Sequence, residues 1–418
     1  MSTHHSEPWR WRELVARELR LAPAVHEVPV REAAGRVLAS AVRSPEDVPA
    51  VAVSAMDGFA VRRADLRAHA PTRLPVAMDL PARLGAVGTL DPGTAARIMT
   101  GAPVPAGADL VVEVEATDAD PRGAAPAEVV LTPRSLPDPM RHVRGPGEEI
   151  ARGAVLAQAG DRVGAGLVGL ACTLGIPSLP VHGAVRVGTV ITGDELVDAP
   201  AGAGADEAAE TADEAPGAVR ESNGAMLAAA LEADGCAVRI LRSGDDPAQL
   251  EGVLDEAADS ADLVLTTGGI GHGAYDVVKE LLGPHGRDSS RFSHLALRPG
   301  GPQGLGVLRG GVPVVHLPGT PVGALVGLHL FVRPLLPGTD AAPRAMLLED
   351  PHGRIARSRA RSGLVVEPAR TVHGPDGSPR AVLQDGRRLA PYGRADLLVL
   401  GGAGAQTAQA DTALVVPL

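Results

Sequence analysis

Thr266-Thr267-Gly268-Gly269-Ile270-Gly271-His272-Gly273-Ala274-Tyr275-Asp276 follows the apolar, β-prone run Ala261-Asp262-Leu263-Val264-Leu265 and precedes a helical pattern from Val277 to Leu282. A buried strand that opens through glycines into a helix turns backbone N–H groups and a helix N-terminus toward one point, where an anion can sit. Glycine suits that turn because a Cβ would keep the backbone away from a phosphate. Asp276 closes the segment at its mouth, where a carboxylate can hold a cation that shields phosphate charge.

Outward from this segment the pattern alternates. Strands are predicted at Val185–Ile191, Ala237–Leu241, Leu263–Thr267 and Val312–Leu317, and helices at Asn223–Ala233, Pro247–Ala258, 275–283 and 321–336. Strands alternating with helices imply right-handed crossovers and a mainly parallel sheet covered on both faces. Ligands bind such sheets beyond the carboxyl ends of the strands, which is where the glycine-rich segment falls. Before this region, residues 8–22 carry a helical stripe of Trp11, Leu14, Val15 and Leu19, and a second short helix is predicted over Val30–Leu38. Residues 74–131 read as a small β-rich unit, Val163–Leu174 as a helix closed by Gly175, and the chain beyond Pro337 as β again.

Bulk properties narrow the function. At 418 residues the chain exceeds one ordinary core, and with aromatics at 2% the cores must be built from Ala, Val and Leu. The net charge of −11 argues against nucleic acid as a partner, because no general basic surface is available to displace counterions. An anionic ligand must therefore meet a local site. Lys279 is the only lysine. Cys172 and Cys236 lack metal-ligand spacing, so neither a disulfide framework nor a zinc site is expected. The absence of a leader-like apolar region and of any run approaching 20 apolar residues predicts a soluble, cytoplasmic protein with no membrane partner. Residues 198–219, nearly all Ala, Gly, Asp, Glu, Thr and Pro, read as a disordered acidic insert.

Further acidic clusters end predicted strands or turns: Met56-Asp57-Gly58-Phe59-Ala60, Arg144-Gly145-Pro146-Gly147-Glu148-Glu149-Ile150, Thr192-Gly193-Asp194-Glu195-Leu196 and Ser243-Gly244-Asp245-Asp246-Pro247. Singly, an acidic pair such as Asp245-Asp246 before Pro247 reads as a helix cap. Several at the carboxyl ends of strands in one sheet, beside a phosphate-type turn, suit Mg²⁺ and phosphate chemistry.

The ordered series MDGFA, MTGAPVPAGAD, GEEI, TGDEL, ESN, GDDP, TTGGIGHGAYD, RPGGP and HLPGTPVGA, over about residues 10–336, resembles bacterial MoeA, the molybdopterin molybdotransferase family, and the similar gephyrin E-domain. The resemblance implies an α/β and β multidomain protein. An elongated helical N-terminal domain would take 8–55 and 140–182, and an inserted β domain 56–139. A molybdopterin-binding α/β domain with a mainly parallel sheet would take 183–337, and a C-terminal β domain 338–418. It implies Mg²⁺-dependent insertion of molybdate into adenylylated molybdopterin with release of AMP, by a homodimer whose facing subunit supplies Asp57 and Thr100. The adenylyltransferase of the same pathway is a further partner it suggests. Carried over by motif, Gly268, Gly269, Gly271 and Gly273, with Lys279, Pro318 and Gly319, would bind substrate and phosphate. Asp194, Glu195, Asp245 and Glu149 would serve metal. Asp57, Thr100, Glu195, Asp276 and Arg298 would serve catalysis.

The chain departs from the pattern at four places, one of them the GGVS loop, which reads Gly268-Gly269-Ile270-Gly271. The KPGKP segment reads Arg298-Pro299-Gly300-Gly301-Pro302, PGNPVS reads Pro318-Gly319-Thr320-Pro321-Val322-Gly323, and Glu149 stands for an Asp. Arg298 can still bind an oxyanion, but loss of a second cation weakens transition-state stabilisation. Two other readings fit these departures: a molybdopterin-binding or regulatory protein with little catalysis, and a hydrolase of another nucleotide pyrophosphate. Retention of Asp194, Glu195, Asp245 and Asp276 favours catalysis, since a binder need not keep them.

Overall fold

The computed structural model describes residues 8–418 apart from 69, 83–86, 133–136, 198–217, 272–275, 359–362, 387, 403–404, 406 and 408–410. The chain forms two compact units, one of Glu27–Val181 and one of residues up to His26 together with His182–Leu418.

In the unit Glu27–Val181, a five-stranded sheet runs Leu110–Glu113, Gly58–Val61, Ala95–Ile98, Thr72–Leu80, Glu128–Leu131 in spatial order. Phe59, Leu110, Val112 and Leu131 fill one face and Ile98, Val111 and Leu90 the other. A separate core of Leu38, Leu179, Val181 and Ala171 gathers the helix Ala165–Thr173 with short extended segments. The helix predicted over Val30–Leu38 is only a 3₁₀ turn, Val30–Glu32. Gly35 in a left-handed conformation (φ +79°) ends any helical continuation.

The other unit begins with helix α1 (Pro8–Glu18), which buries Trp11 and Val15. Arg12 donates from Nη1 to Leu330 O (3.1 Å) and from Nη2 to Ala341 O (2.7 Å). Residues 8–26, grouped by the sequence reading with the elongated N-terminal domain, are thus packed within the α/β unit. The central elements are β1 (Arg186–Thr192), α2 (Asn223–Ala233), β2 (Ala237–Ser243), α3 (Pro247–Ser260), β3 (Leu263–Thr267), α4 (Val277–Leu282), β4 (Ser290–His294), β5 (Pro302–Val307), β6 (Pro313–Leu317) and α5 (Pro321–Gly327). The sheet order is β2-β1-β3-β6-β5-β4, parallel through β6 and antiparallel thereafter. Register pairs Thr192 with Ser243, Ile191 with Thr267 and Thr267 with Leu317, so four strands end along one edge. Val187, Val190, Ile191, Val264, Leu265 and Val315 are buried, as a sheet covered on both faces requires.

The antiparallel pair β4–β5 is absent from the sequence reading. Its glycines hide it: a Cβ on Gly304 would stand 2.7 Å from the Phe292 ring and 2.9 Å from His316. Opposite that gap His316 is fully buried, bonded through Nδ1 to Thr266 Oγ1 and through Nε2 to Ser290 Oγ, both at 2.9 Å. Burial lowers its pKa to about 3.

The helix predicted over 321–336 is broken: α5 gives way to a π turn at Leu328–Val332 and a 3₁₀ turn at Arg333–Leu335. Arg333 there forms a mostly buried two-pronged pair with Asp234 (2.6 and 2.8 Å) and donates to Pro417 O (2.9 Å). Beyond it, the strands Leu364–His373, Pro379–Leu383, Arg344–Glu349, Thr412–Pro417 and Leu397–Gly401 pair in that order. Leu397–Gly401 pairs back onto Leu364–His373, closing the sheet. One core spans this sheet and the α/β layers, from Trp11 and Leu265 to Leu398 and Val416. Among the described residues no helix is long and apolar enough to cross a membrane.

Two outcomes follow from these packing facts. Arg333→Ala leaves Asp234 buried without its partner and should cost about 3–5 kcal/mol, read from the denaturant midpoint. Because His316 must stay neutral when folded, its contribution is complete above the ordinary value of 6.5 and is lost as pH falls from there toward about 3. The loss should approach about 1.4 kcal/mol per pH unit. His316→Gln should flatten that acid slope in denaturation curves collected across the interval.

Candidate functional site

The strand ends at the carboxyl edge enclose a cleft of about 620 Å³. Thr192, Gly193 and Glu195 line it after β1, Asp245 after β2, Thr267–Gly271 and Asp276 after β3, and Pro318–Pro321 after β6. Asn223 at the start of α2 adds to the wall, as do Gly300 and Pro302.

The glycine-rich turn is shaped first by its neighbours. Gly268 (φ +91°) and Gly269 (φ +64°) are both left-handed. A Cβ on Gly268 would lie 2.7 Å from Thr192 Oγ1, and one on Gly319 3.2 Å from the Gly268 Cα. The sequence reading attributed these glycines to phosphate approach; the structure adds that three loops leave no space for a side chain. Ile270 is buried and pins the turn to the core. Gly271 N–H donates to Asp276 Oδ1 (2.7 Å), so that N–H holds the turn. Lys279 Nζ donates to Gly271 O (3.3 Å) and does not line the cleft; it tethers the same turn. Gly273 lies outside the described residues, as do residues 198–217 of the acidic insert. The flanks of that insert, Leu196–Val197 and Val219–Arg220, pair as two short strands.

The carboxylates divide in role. Asp246 caps α3, accepting from Gln249 N–H (2.8 Å) with Pro247 behind it, whereas Asp245 faces the cleft. Asp194 Oδ1 accepts from Asp245 N–H (3.1 Å) and Asp245 Oδ2 from Asp194 N–H (3.5 Å), which clasps the two turns together. Desolvation raises the Asp245 pKa, and the charges of Asp194 and Glu195 raise it further against the lowering hydrogen bond from Asp194. Asp276 Oδ2 is buried and has no hydrogen-bond partner among the described residues.

The expected metal set of Asp194, Glu195, Asp245 and Glu149 is not a preformed cage. Among the described residues no three His, Cys, Asp or Glu side chains are gathered to hold an ion. Asp194 and Asp245 are each engaged with the other's backbone, and Glu149 belongs to the other compact unit, exposed, with its N–H on Val48 O. Arg298 lies exposed on the short strand Leu297–Arg298, outside the cleft lining that Gly300 and Pro302 supply. In the unit Glu27–Val181, Asp57 and Thr100 meet directly: Thr100 donates to Asp57 Oδ1 from N–H (2.7 Å) and Oγ1 (2.8 Å). These bonds hold the Asp57 carboxyl below the usual range, and the Gly58–Ile98 register places the two residues side by side.

Residues 10–175 match the model of the MoeA N-terminal region (domain I and II), and residues 188–338 that of a probable molybdopterin binding domain. A molybdopterin molybdenumtransferase 2 of Mycobacterium tuberculosis is 41% identical over 333 residues, covering 78% of this chain and 76% of the relative. The chain belongs to the MoeA family. A molybdopterin molybdenumtransferase of Synechococcus elongatus is 33% identical over 340 residues, 77% of each chain. The fold agrees with that of a MoeA protein from Pyrococcus horikoshii, with TM-score 0.72 and 22% identity over 99% of this chain and 100% of the other.

Within the MoeA fold, the departures of this chain have steric partners. The His294 ring stands 2.8 Å from where a Cβ on Gly301 would lie, and Thr320 Oγ1 2.6 Å from where one on Gly323 would lie. Gly301→Lys alone should therefore lower the melting temperature without raising turnover, whereas combining it with His294→Gly should restore stability. Gly268→Ala should be worse, costing at least about 1–3 kcal/mol from backbone strain alone, seen as a lower melting temperature.

Proposed function

We propose that this chain inserts molybdate into adenylylated molybdopterin, cleaving the pyrophosphate link and releasing AMP, with Mg²⁺ as its metal. The observation that carries the reading is the convergence of the glycine-rich turn with Glu195, Asp245 and Asp276 in one cleft of a MoeA-family chain. Membership supports a transferase role in molybdenum cofactor biosynthesis.

The donor set fits Mg²⁺ in the manner usual for that ion, which keeps several waters and takes one or two carboxylates plus substrate phosphates. Asp245, carrying a raised pKa beside two other acids, and Asp276, with a buried unpartnered oxygen, are the groups that would hold it. When bound, the ion would neutralise charge on the pyrophosphate and its leaving phosphate. The protein's own part is positional: the turn at Gly268–Gly271 receives the phosphates, and Glu195 orients the attacking water. Water adds to one phosphorus of the pyrophosphate as the bridging P–O bond breaks, giving AMP and the molybdopterin phosphate with the water's proton lost to solvent. The dithiolene's two S–H protons leave with one molybdate oxygen as water, so that both sulfurs bind molybdenum without a change of oxidation state. The matching assembly is a cytoplasmic homodimer, supplied with substrate by the adenylyltransferase of the pathway.

Purified protein given adenylylated molybdopterin, molybdate and Mg²⁺ should release AMP in a molybdate-dependent manner. Asp245→Asn should slow that release by about 10²–10³-fold; release without molybdate would favour a plain pyrophosphate hydrolase, and tight binding without release a regulatory protein. Since a ligating carboxylate must be deprotonated, Mg²⁺ affinity should fall as pH drops through the raised range of Asp245. In Glu195→Gln, with one neighbouring negative charge gone, that fall should move to lower pH in a calorimetric titration.

A further inference from the structure

Asn223, from the segment Glu221-Ser222-Asn223, has no part in the mechanism above. It opens α2, lines the cleft and is only 6% exposed. Its Nδ2 donates to Gly319 O at 2.8 Å and lies 3.4 Å from Thr267 Oγ1. A carbonyl can only accept, so the amide nitrogen is fixed on that side and Oδ1 on the other. Oδ1 is buried and has no hydrogen-bond partner among the described residues. A bare buried acceptor is costly, and at a binding site a ligand can relieve that cost.

The ligand group that satisfies Oδ1 must bring a hydrogen. Phosphate oxygens and the neighbouring carboxylates are acceptors and are unsuitable. The ligand offers such hydrogens on a ribose hydroxyl, on a water held by Mg²⁺ and on the N–H groups of its bases, and the two O–H donors are the ones that lie beside the phosphates the glycine turn would receive.

We propose that Asn223 is a specificity-determining residue: Oδ1 accepts a hydrogen bond from an O–H donor of the bound nucleotide–Mg²⁺ complex, while Nδ2 holds the Gly319 and Thr267 turns together. This rests on the nucleotide reading of the cleft and assigns it a residue that distinguishes ligands. Ligands lacking the donor leave Oδ1 unsatisfied and bind more weakly.

The test is calorimetric binding of ADP, 2′-deoxy-ADP and 3′-deoxy-ADP to the full chain and to Asn223→Ala, with Mg²⁺ and with chelator. The wild type should prefer ADP to one deoxy analogue by about tenfold, and that preference should vanish in the variant. If the donor is a metal-bound water, the affinity gained from Mg²⁺ shrinks about tenfold in the variant instead; either result supports the assignment. Equal weakening for all three nucleotides with the Mg²⁺ gain unchanged would mean that Asn223 only braces the turns, and the inference fails. Failure of the wild type to bind ADP overturns the nucleotide reading and this one with it, whereas ADP binding without discrimination overturns this one alone. Thermal melts establish that each variant is folded, and Asn223→Ser is used where the alanine variant melts below the working temperature.

Discussion

Three strand ends meet so closely at Gly268 that no side chain can stand between them. The Thr192 hydroxyl lies on one side and the Gly319 backbone on the other, and Gly268 N–H donates to Leu317 O at 3.2 Å. Thr192 Oγ1 also donates to Thr267 O at 3.0 Å, so β1 and β3 are joined where both end. From this contact the positions of the other cleft groups follow. Asp245 is clasped to the β1 turn through Asp194, and Asp276 to the β3 turn through Gly271 N–H. A parallel sheet delivers strand ends to one edge; their close packing turns that edge into a cleft of fixed shape.

A second constraint holds the far end of α2. Arg333 joins the end of α2, through Asp234, to the last strand of the chain, through Pro417 O. His329 lies between them, its Nδ1 3.1 Å from Arg333 Nη1, and burial together with the Arg333 charge lowers its pKa to about 4 against the raising effects of Pro417 O and Asp234. The π and 3₁₀ turns of this region present Leu330 O to Arg12, which brings in α1. With few aromatic residues, the core of this unit depends on Leu and Val together with such buried polar anchors.

The alternation of strands and helices from 185 to 283 was legible because apolar runs, glycine breaks and caps agree there. Asp246 before Pro247 is such a case: cap chemistry and hydrophobic pattern point to one boundary. The strands β4 and β5 were not, since Gly304 and Gly306 carry no pattern; their glycines make room for Phe292, His316 and Ser290, which only the folded sheet brings near. Val30–Leu38 misled because its spacing suits a helix while Gly35 requires a left-handed turn. At the site, Asp194, Glu195, Asp245 and the glycines were readable as residues near strand ends. That Lys279 tethers a carbonyl, or that Asn223 spends its amide nitrogen on Gly319 O and keeps an unpartnered buried oxygen, depends on contacts across 8 and 96 positions that local patterns do not encode.

The pairing of Gly301 with His294, and of Gly323 with Thr320, joins positions that are separate in the chain. Each glycine faces a side chain occupying the room its replacement would need. Substitution at either glycine is therefore coupled to the conformation of the side chain that faces it. A change at one member of such a pair is felt by the other, so the two positions behave as one unit in any redesign of these loops.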